Sequence, residues 1–263
     1  MRFISWNVNG IRAVARKEAL KWIDEYEIDL LALQEIKASS DQIPKSLFEK
    51  EFQTFLVSSS YKKGQSGVAT YCDMVPNYKS KCYEVDILKE GRINEVHFGK
   101  LAFFNVYFPN GQRSIERLEY KLGFYDRFLE YINDLKKRGY SIIFCGDINT
   151  AHKEIDLARA KENENTSGFL KIEREWIDRV INDGYVDTFR FLHPQKIKYS
   201  WWSQRTRARQ RNVGWRIDYF FVSSDLKAYI KEADILTNIT GSDHAPVELV
   251  LEREPLLGII DNS

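Results

Sequence analysis

The chain of 263 residues is sparing with several residue types that carry common chemistries. It has three cysteines, Cys72, Cys82 and Cys145, an odd number without paired spacing. That argues against a disulfide framework and a zinc knuckle, and points to a reducing compartment. Its four histidines, His97, His152, His193 and His244, are scattered and lack zinc-ligand spacing. An excess of one charge is also missing: 39 Lys and Arg face 38 Asp and Glu, for a net charge of +1. No global field therefore draws in a polyanion, and any anionic partner must be met by a local basic patch. The start, MRFISWNVNG, contains no long apolar run. Neither a signal peptide nor a membrane span is expected, and the protein is read as soluble and intracellular. The sequence holds no recognisable Gly-rich P-loop and no G-x-S-x-G nucleophile elbow. A short-period repeat, a low-complexity tract and a domain linker are absent as well.

What is present is enough apolar residue for a sizeable core, at a length that suits one large domain or two small ones. Short apolar runs read as strands at residues 2–8, 30–33, 55–57, 68–71, 142–144, 199–202, 216–222 and 245–251. Residues 93–98 and 101–108 read as an antiparallel pair across Gly99-Lys100. Helical spacing of Ile11, Val14, Trp22, Ile23 and Tyr26 predicts a helix after the first strand. Longer amphipathic patterns predict helices over 115–137 and 172–181. Pro44 opens a further short helix in this reading. The polar stretch 161–168 reads as a surface loop, and the tail after Glu252 as frayed. Roughly a dozen strands with a few helices suggest two sheets packed face to face with helices outside.

The polar residues at strand ends are more telling. The segment SIIFCGDINTAHKEID is a buried strand that Gly146 ends, followed by Asp147 and Asn149, which project to the same side of an extended backbone. A buried carboxylate there is costly unless paired, hydrogen-bonded or bound to metal. An Asx turn would explain this pair alone. The same arrangement recurs, however: Asn7, Glu35, Tyr107, Asn110, Asp218, Asp243 and His244 each lie at, just past or within an apolar run. Converging at one rim, they would form a polar pocket on rigid supports. Their oxygen donors suit a hard cation such as Mg²⁺. Together with a histidine and a tyrosine they fit metal-assisted hydrolysis of a phosphate ester better than acyl transfer. Residue by residue, blander readings exist: Asn7 and Asn110 as turn formers, Asp218 as a buried ion-pair partner, His244 as a satisfied core histidine.

Six motifs, WNVNGIR, LQEIK, YFPNG, CGDINTAHKEID, NVGWRIDYF and GSDHAP, follow one another in the order of the exonuclease III family of abasic-site endonucleases. The chain resembles that family from residue 1 to about 252. The resemblance implies an α/β fold, a DNase I-like four-layered sandwich of two packed mixed β-sheets flanked by helices. Residues 1–252 would form a single catalytic domain and 253–263 a short tail. It further implies cleavage of the DNA backbone 5′ to abasic sites with Mg²⁺ or Mn²⁺, one ion or two. A 3′-5′ exonuclease and 3′-end-cleaning activity go with it. By the same resemblance Glu35 is the principal metal ligand with Asn7 beside it, and Asp243, Asp147, Asn149 and His244 stand near the metal. Asp147 activates the attacking water, with His244 as the alternative base. Asn149 orients that water, Tyr107 and Asn110 hold phosphate oxygens, and Asp218 orients His244. Asn9 stands where some relatives carry a carboxylate.

Residues 199–216, YSWWSQRTRARQRNVGWR, interleave arginines with tryptophans, which suits phosphate contact and packing on an exposed sugar or base. A solvated hairpin with core tryptophans would have the same composition. In the family, the positions of Trp201, Trp215 and Ile217 line a pocket for a base-less deoxyribose, and that of Arg205 reaches into the helix. Arg12, Arg92 and Arg209 are further candidate DNA contacts. The expected partner is double-stranded DNA with abasic or damaged sites, met by a monomer in the cytoplasm at the nucleoid, or in the nucleus of a eukaryote. The alternatives are an endonuclease that also acts at deoxyuridine or damaged bases, a superfamily phosphatase or non-specific nuclease, and a DNA-binding module without catalysis.

Overall fold

The computed structural model describes residues 1–43, 52–60 and 62–261. The helix expected from Pro44 lies outside them. In chain order the strands are β1 Arg2–Asn7, β2 Leu30–Gln34, β3 Thr54–Ser58, β4 Val68–Cys72, β5 Tyr78–Ser80, β6 Ile93–Phe98, β7 Leu101–Tyr107, β8 Ser141–Asp147, β9 Tyr185–Asp187, β10 Asp218–Ser223, β11 Ile230–Ile235 and β12 Val247–Leu251. The α-helices are α1 Ile11–Arg16, α2 Ile115–Lys137, α3 Lys171–Asn182, α4 Thr188–Leu192 and α5 Arg253–Asp261.

Two six-stranded sheets result, ordered β11-β12-β1-β2-β4-β3 and β5-β6-β7-β8-β10-β9. Each is mixed: β1 pairs parallel with β2, and β7 with β8, while the other pairings are antiparallel. The central strands are apolar on both sides because both sheet faces are covered. In β8 all of Ser141–Asp147 is buried. The strand runs on through Gly146 to Asp147 rather than ending at the glycine, which stands where a side chain does not fit, since a Cβ there would lie 1.9 Å from the Val106 carbonyl oxygen.

Three apolar seams separate four layers. Phe3, Leu30, Phe103, Ile143 and Leu249 fill the space between the sheets. Phe104, Phe128, Phe144 and Trp176 join the second sheet to α2 and α3. Trp6, Ile11, Val14, Trp22 and Leu33 cover the outer face of the first sheet. Helix α2 follows its sequence signals closely. Ser114 caps it by accepting from the Arg117 N–H at 3.3 Å, Lys136 and Lys137 occupy its last turn, and Phe124, Tyr125, Phe128, Leu129, Ile132 and Leu135 form its buried stripe.

Four expectations need correction. The helix after β1 stops at Arg16, Glu18 turns left-handed, and Trp22 and Ile23 are buried from a separate 3₁₀ turn, Lys21–Glu25. Both pieces bury the same face, so the periodicity survived the break. Residues 199–202 make isolated bridges from Trp201 to Trp215 and His244 rather than a strand. Within the loop at 161–168, Ala160–Asn163 is a 3₁₀ turn. The tail is not frayed: α5 buries Leu256 in the central seam, and the Ile259 carbonyl accepts the Lys100 N–H at 3.2 Å.

Candidate active site

The topology brings the polar strand ends together. β1 and β2 run parallel and finish at one rim, as do β7 and β8 in the facing sheet. The antiparallel neighbours β12 and β10 begin at that rim. Register does the rest: Tyr107, Asp147 and Asp218 stand side by side across β7, β8 and β10. Asn7 pairs with Gln34, the residue before Glu35.

Asp147 is the hub, with 2% of its surface exposed. Its Oδ2 accepts from Asn7 Nδ2 at 2.9 Å and from Asn149 Nδ2 at 3.2 Å, and its Oδ1 from the Asn149 backbone N–H at 2.9 Å. Asn7 Nδ2 also donates to Glu35 Oε2 at 3.1 Å. Asn110 Nδ2 donates to Asn149 Oδ1 at 2.9 Å, extending the chain of carboxamides outward. On the other side His244 Nε2 faces Asp147 Oδ2 across 3.9 Å, and His244 Nδ1 is 2.8 Å from Asp218 Oδ2.

The charges are shaped by burial. Burial opposes a charged His244, but Asp218, Asp147 and Asp243 outweigh it and push the imidazole up to about 10, so it is an imidazolium at neutral pH. Burial raises Asp147 to about 7 even though His244 pulls the other way. Burial first, then Glu35, also hold the Tyr107 phenol well above its ordinary range, so it stays a donor.

Several backbone positions here are left-handed without glycine: Asn9 at φ 45°, Glu35 at φ 52° and Asn149 at φ 58°. Each costs of order 1 kcal/mol and persists only where its surroundings dictate it. For Glu35 the surroundings are main-chain bonds on both sides, Gly10 N to Glu35 O at 2.8 Å and Ile36 N to Gly67 O at 3.0 Å.

These residues line a cavity of about 250 Å³, with Glu35, Tyr107, Asn110, Asp147, Asn149, Asp243 and His244 on its polar side and Trp201, Trp215 and Ile217 on its apolar side. Asp243 is held by Asn9 Nδ2 at 2.9 Å and Trp201 Nε1 at 3.1 Å, so Asn9 serves as a donor to a carboxylate. Asp147, Asp218 and His244 offer ligand atoms within 4.8 Å of one another, a group able to hold a divalent ion. Asp218 Oδ1 is buried without a hydrogen-bond partner among the described residues, an orphan a cation would satisfy.

The arginines divide. Arg205 and Arg207 are exposed on the loop, and Arg12 is exposed beside the Lys37 carbonyl. Arg209 is spent internally, donating to the carbonyls of Thr237, Ile239 and Ser242 and lying 4.7 Å over the Trp202 ring. Arg216 is buried between Asp156 and Asp187. Arg92 is buried as well: it pairs with Glu90, donates to the Tyr107 carbonyl at 2.9 Å and packs on the Tyr107 ring. It therefore stands behind Tyr107 rather than on the surface, because a guanidinium so buried must spend its donors on protein. Not foreseen was Lys37, whose Nζ is 2.9 Å from Glu35 Oε1 and also bonds Asn9. Its position two residues after Glu35, on a left-handed turn, folds it back over the carboxylate. Ser167, Gly168 and Gln112 also join the cavity wall from loops with no sequence signal of their own.

A mixed two-sheet sandwich with a carboxylate-carboxamide-histidine rim defines a class of hydrolases, and the chain belongs to it: the Endonuclease/Exonuclease/phosphatase family profile matches residues 4–244. Among its relatives is the exodeoxyribonuclease of Bacillus subtilis strain 168, 41% identical over 256 residues that cover 95% of this chain and 99% of that protein. The DNA repair nuclease APEX1 of Danio rerio is 36% identical over 255 residues, covering 95% of this chain and 82% of that one. An AP endonuclease structure from Archaeoglobus fulgidus superimposes with a TM-score of 0.85 at 26% identity, over 96% of this chain and 100% of the other. Among the described residues no helix is long and apolar enough to cross a membrane.

Proposed function

We propose that this hydrolase cleaves the backbone of double-stranded DNA on the 5′ side of abasic sites, using Mg²⁺, with 3′-5′ exonuclease and 3′-end-cleaning activity at the same centre. The names of its relatives support DNA as substrate, and the cavity supports the specificity. The observation that carries the reading is the Asp147–His244 couple opening onto a cavity of about 250 Å³ walled by Trp201, Trp215 and Ile217.

Glu35 and Asn7, with Asp147, Asn149, Asp218 and Asp243 as further oxygen donors, would hold the cation, while His244, an imidazolium, stays outside the ligand set. The hard oxygens and the unpartnered Asp218 Oδ1 fit Mg²⁺. When bound, Mg²⁺ neutralises charge that builds on the phosphoryl oxygens. The chain's residues do the remainder. Asp147, raised by burial to about 7, takes the proton of the attacking water. Asn149 orients that water through its carboxamide. His244, kept cationic by Asp218, donates from Nε2 to a phosphoryl oxygen as the pentacoordinate phosphorus gains negative charge. Tyr107 and Asn110 donate to the remaining oxygens; as the water oxygen bonds to phosphorus the P–O3′ bond breaks, and the 3′-oxygen takes a proton from solvent to leave as a hydroxyl. An abasic nucleotide leaves the stack most cheaply because it has no pairing to lose. Arg205, exposed at the loop, fills the gap left in the duplex.

One assay separates the readings. Incubated with Mg²⁺, the protein should cut abasic duplex DNA far faster than intact duplex and leave a phosphoinositide untouched. Equal rates on both duplexes would make it a non-specific nuclease, phosphoinositide turnover a phosphatase, and no turnover a binding module.

A further inference from the structure

The apolar stripe of α2 is interrupted by a charge. Lys121 is fully buried, yet it sits in line with Phe124, Tyr125 and Phe128. Its Nζ donates to Glu173 Oε1 at 2.6 Å, to Thr150 Oγ1 at 2.9 Å and to the Asn149 carbonyl at 2.8 Å. Glu173, also fully buried, uses its other bonds on the neighbouring loop: it accepts from Ser167 Oγ at 2.8 Å and from the backbone N–H of Gly168 and Leu170. One ion pair thus grips two walls of the cavity, the main chain of Asn149 and the turn at Ser167-Gly168. The two walls are tied to each other where the Ala151 N–H donates to the Gly168 carbonyl at 2.8 Å.

A buried pair of this kind adds little net stability, since desolvation offsets most of its attraction. What it does here is directional. Asn149 is a non-glycine residue at φ 58°, and in that conformation its carboxamide donates to Asp147 and the Phe108 carbonyl and accepts from Asn110. Gly168 passes so close that a Cβ would lie 3.2 Å from the Trp215 ring and 3.3 Å from the Asn149 carbonyl. A small displacement of either segment would misalign Asn149 and reshape the pocket beside Trp215.

We propose that Lys121 and Glu173 are positioning residues for the hydrolytic centre, holding the Asn149 main chain and the Gly168 wall in register with Asp147 and Trp215. Neither touches the reacting atoms. The kinetic half of this proposal rests on the reading of the site as an abasic endonuclease; the geometric half does not.

The test uses Lys121→Met and the neutral double variant Lys121→Gln/Glu173→Gln, which keeps hydrogen-bonding groups while removing both charges. With abasic duplex DNA, kcat should fall ~30-fold with KM within about 3-fold, the scale expected when a catalytic group is misplaced by a fraction of an ångström. In an Asn149→Ala background the same substitutions should cost less than about 3-fold, because the group they position is gone. A crystal structure of the double variant should show Asn149 out of the left-handed region. Unchanged kcat, an equal loss in both backgrounds, or Asn149 in place would overturn the proposal, as would a double variant that does not fold, which would make the pair a stability element. Wild-type protein inactive on abasic DNA while the double variant displaces Asn149 would sink the functional reading and leave the positioning role standing.

Discussion

His244 Nδ1 lies 2.8 Å from Asp218 Oδ2, and the second oxygen of that carboxylate has no hydrogen-bond partner among the described residues. Asp218 thus holds the imidazole with one oxygen while the other is buried without a partner among those residues. If it acts through His244, the two losses do not add. His244→Ala should slow incision by about 10²–10³-fold, the range for a lost transition-state hydrogen-bond donor, and adding Asp218→Ala should slow it little more. Losses that multiply would mean two independent roles.

Removing the metal should be as damaging as removing the ligand. EDTA should abolish cleavage and added Mg²⁺ restore it. Glu35→Ala should lose at least ~10²-fold in kcat with an unchanged circular dichroism spectrum. Full activity of Glu35→Ala in dilute Mg²⁺ would remove Glu35 from the ligand set.

The specificity assignment turns on Trp215, half-buried between the loop carrying Gly168 and the Trp201 bridge. Trp215→Ala should enlarge the cavity and lower the abasic-to-intact rate ratio by about 10-fold, on the scale of a changed pocket contact. Arg205→Ala should weaken binding or alter product release and leave that ratio in place. Rates for both duplexes at one fixed salt concentration decide it, since affinity here varies steeply with salt. An unchanged ratio for Trp215→Ala makes that residue core packing.

Stability has its own pH signature. Burial works against the Asp156 carboxylate, but Arg216 and Arg190 overcome it and hold it at about 2, below the ordinary value of 3.8. A depressed carboxylate contributes stability that is complete above its unfolded pKa and is lost as pH falls through the folded one. The contribution, about 2 kcal/mol, should therefore fade between roughly pH 4 and pH 2. Urea midpoints of wild type and Asp156→Asn should converge across that window. A gap that stays constant from pH 5 to pH 2 would show that the ion network carries no such linkage.

Much of the site could be read in the chain because polar residues at strand ends are conspicuous against buried strands: Asn7, Glu35, Tyr107, Asp147 and Asp218 all sit at the ends of β1, β2, β7, β8 and β10. Composition could not say which arginines face solvent. Arg92, Arg209 and Arg216 look like their exposed neighbours in sequence, and only tertiary contacts tell them apart: Glu90 and Asp156 help to bury Arg92 and Arg216, and backbone carbonyls take up the donors of the half-buried Arg209. Short elements such as β5, β9 and α4 carry too few residues for a period to register. Lys121 was invisible for a related reason: a lysine is ordinarily a surface residue, and its burial depends on Glu173, far along the chain.

The most direct test is the position of the cut. A 5′-labelled duplex with one chemically reduced abasic site cannot undergo β-elimination, so its cleavage reports hydrolysis alone. With Mg²⁺ the labelled product should end in a 3′-hydroxyl at the nucleotide before the lesion, and it should be absent with EDTA and absent for Asp147→Asn. Incision on the 3′ side of the lesion, or equal cutting of the undamaged duplex, would contradict it.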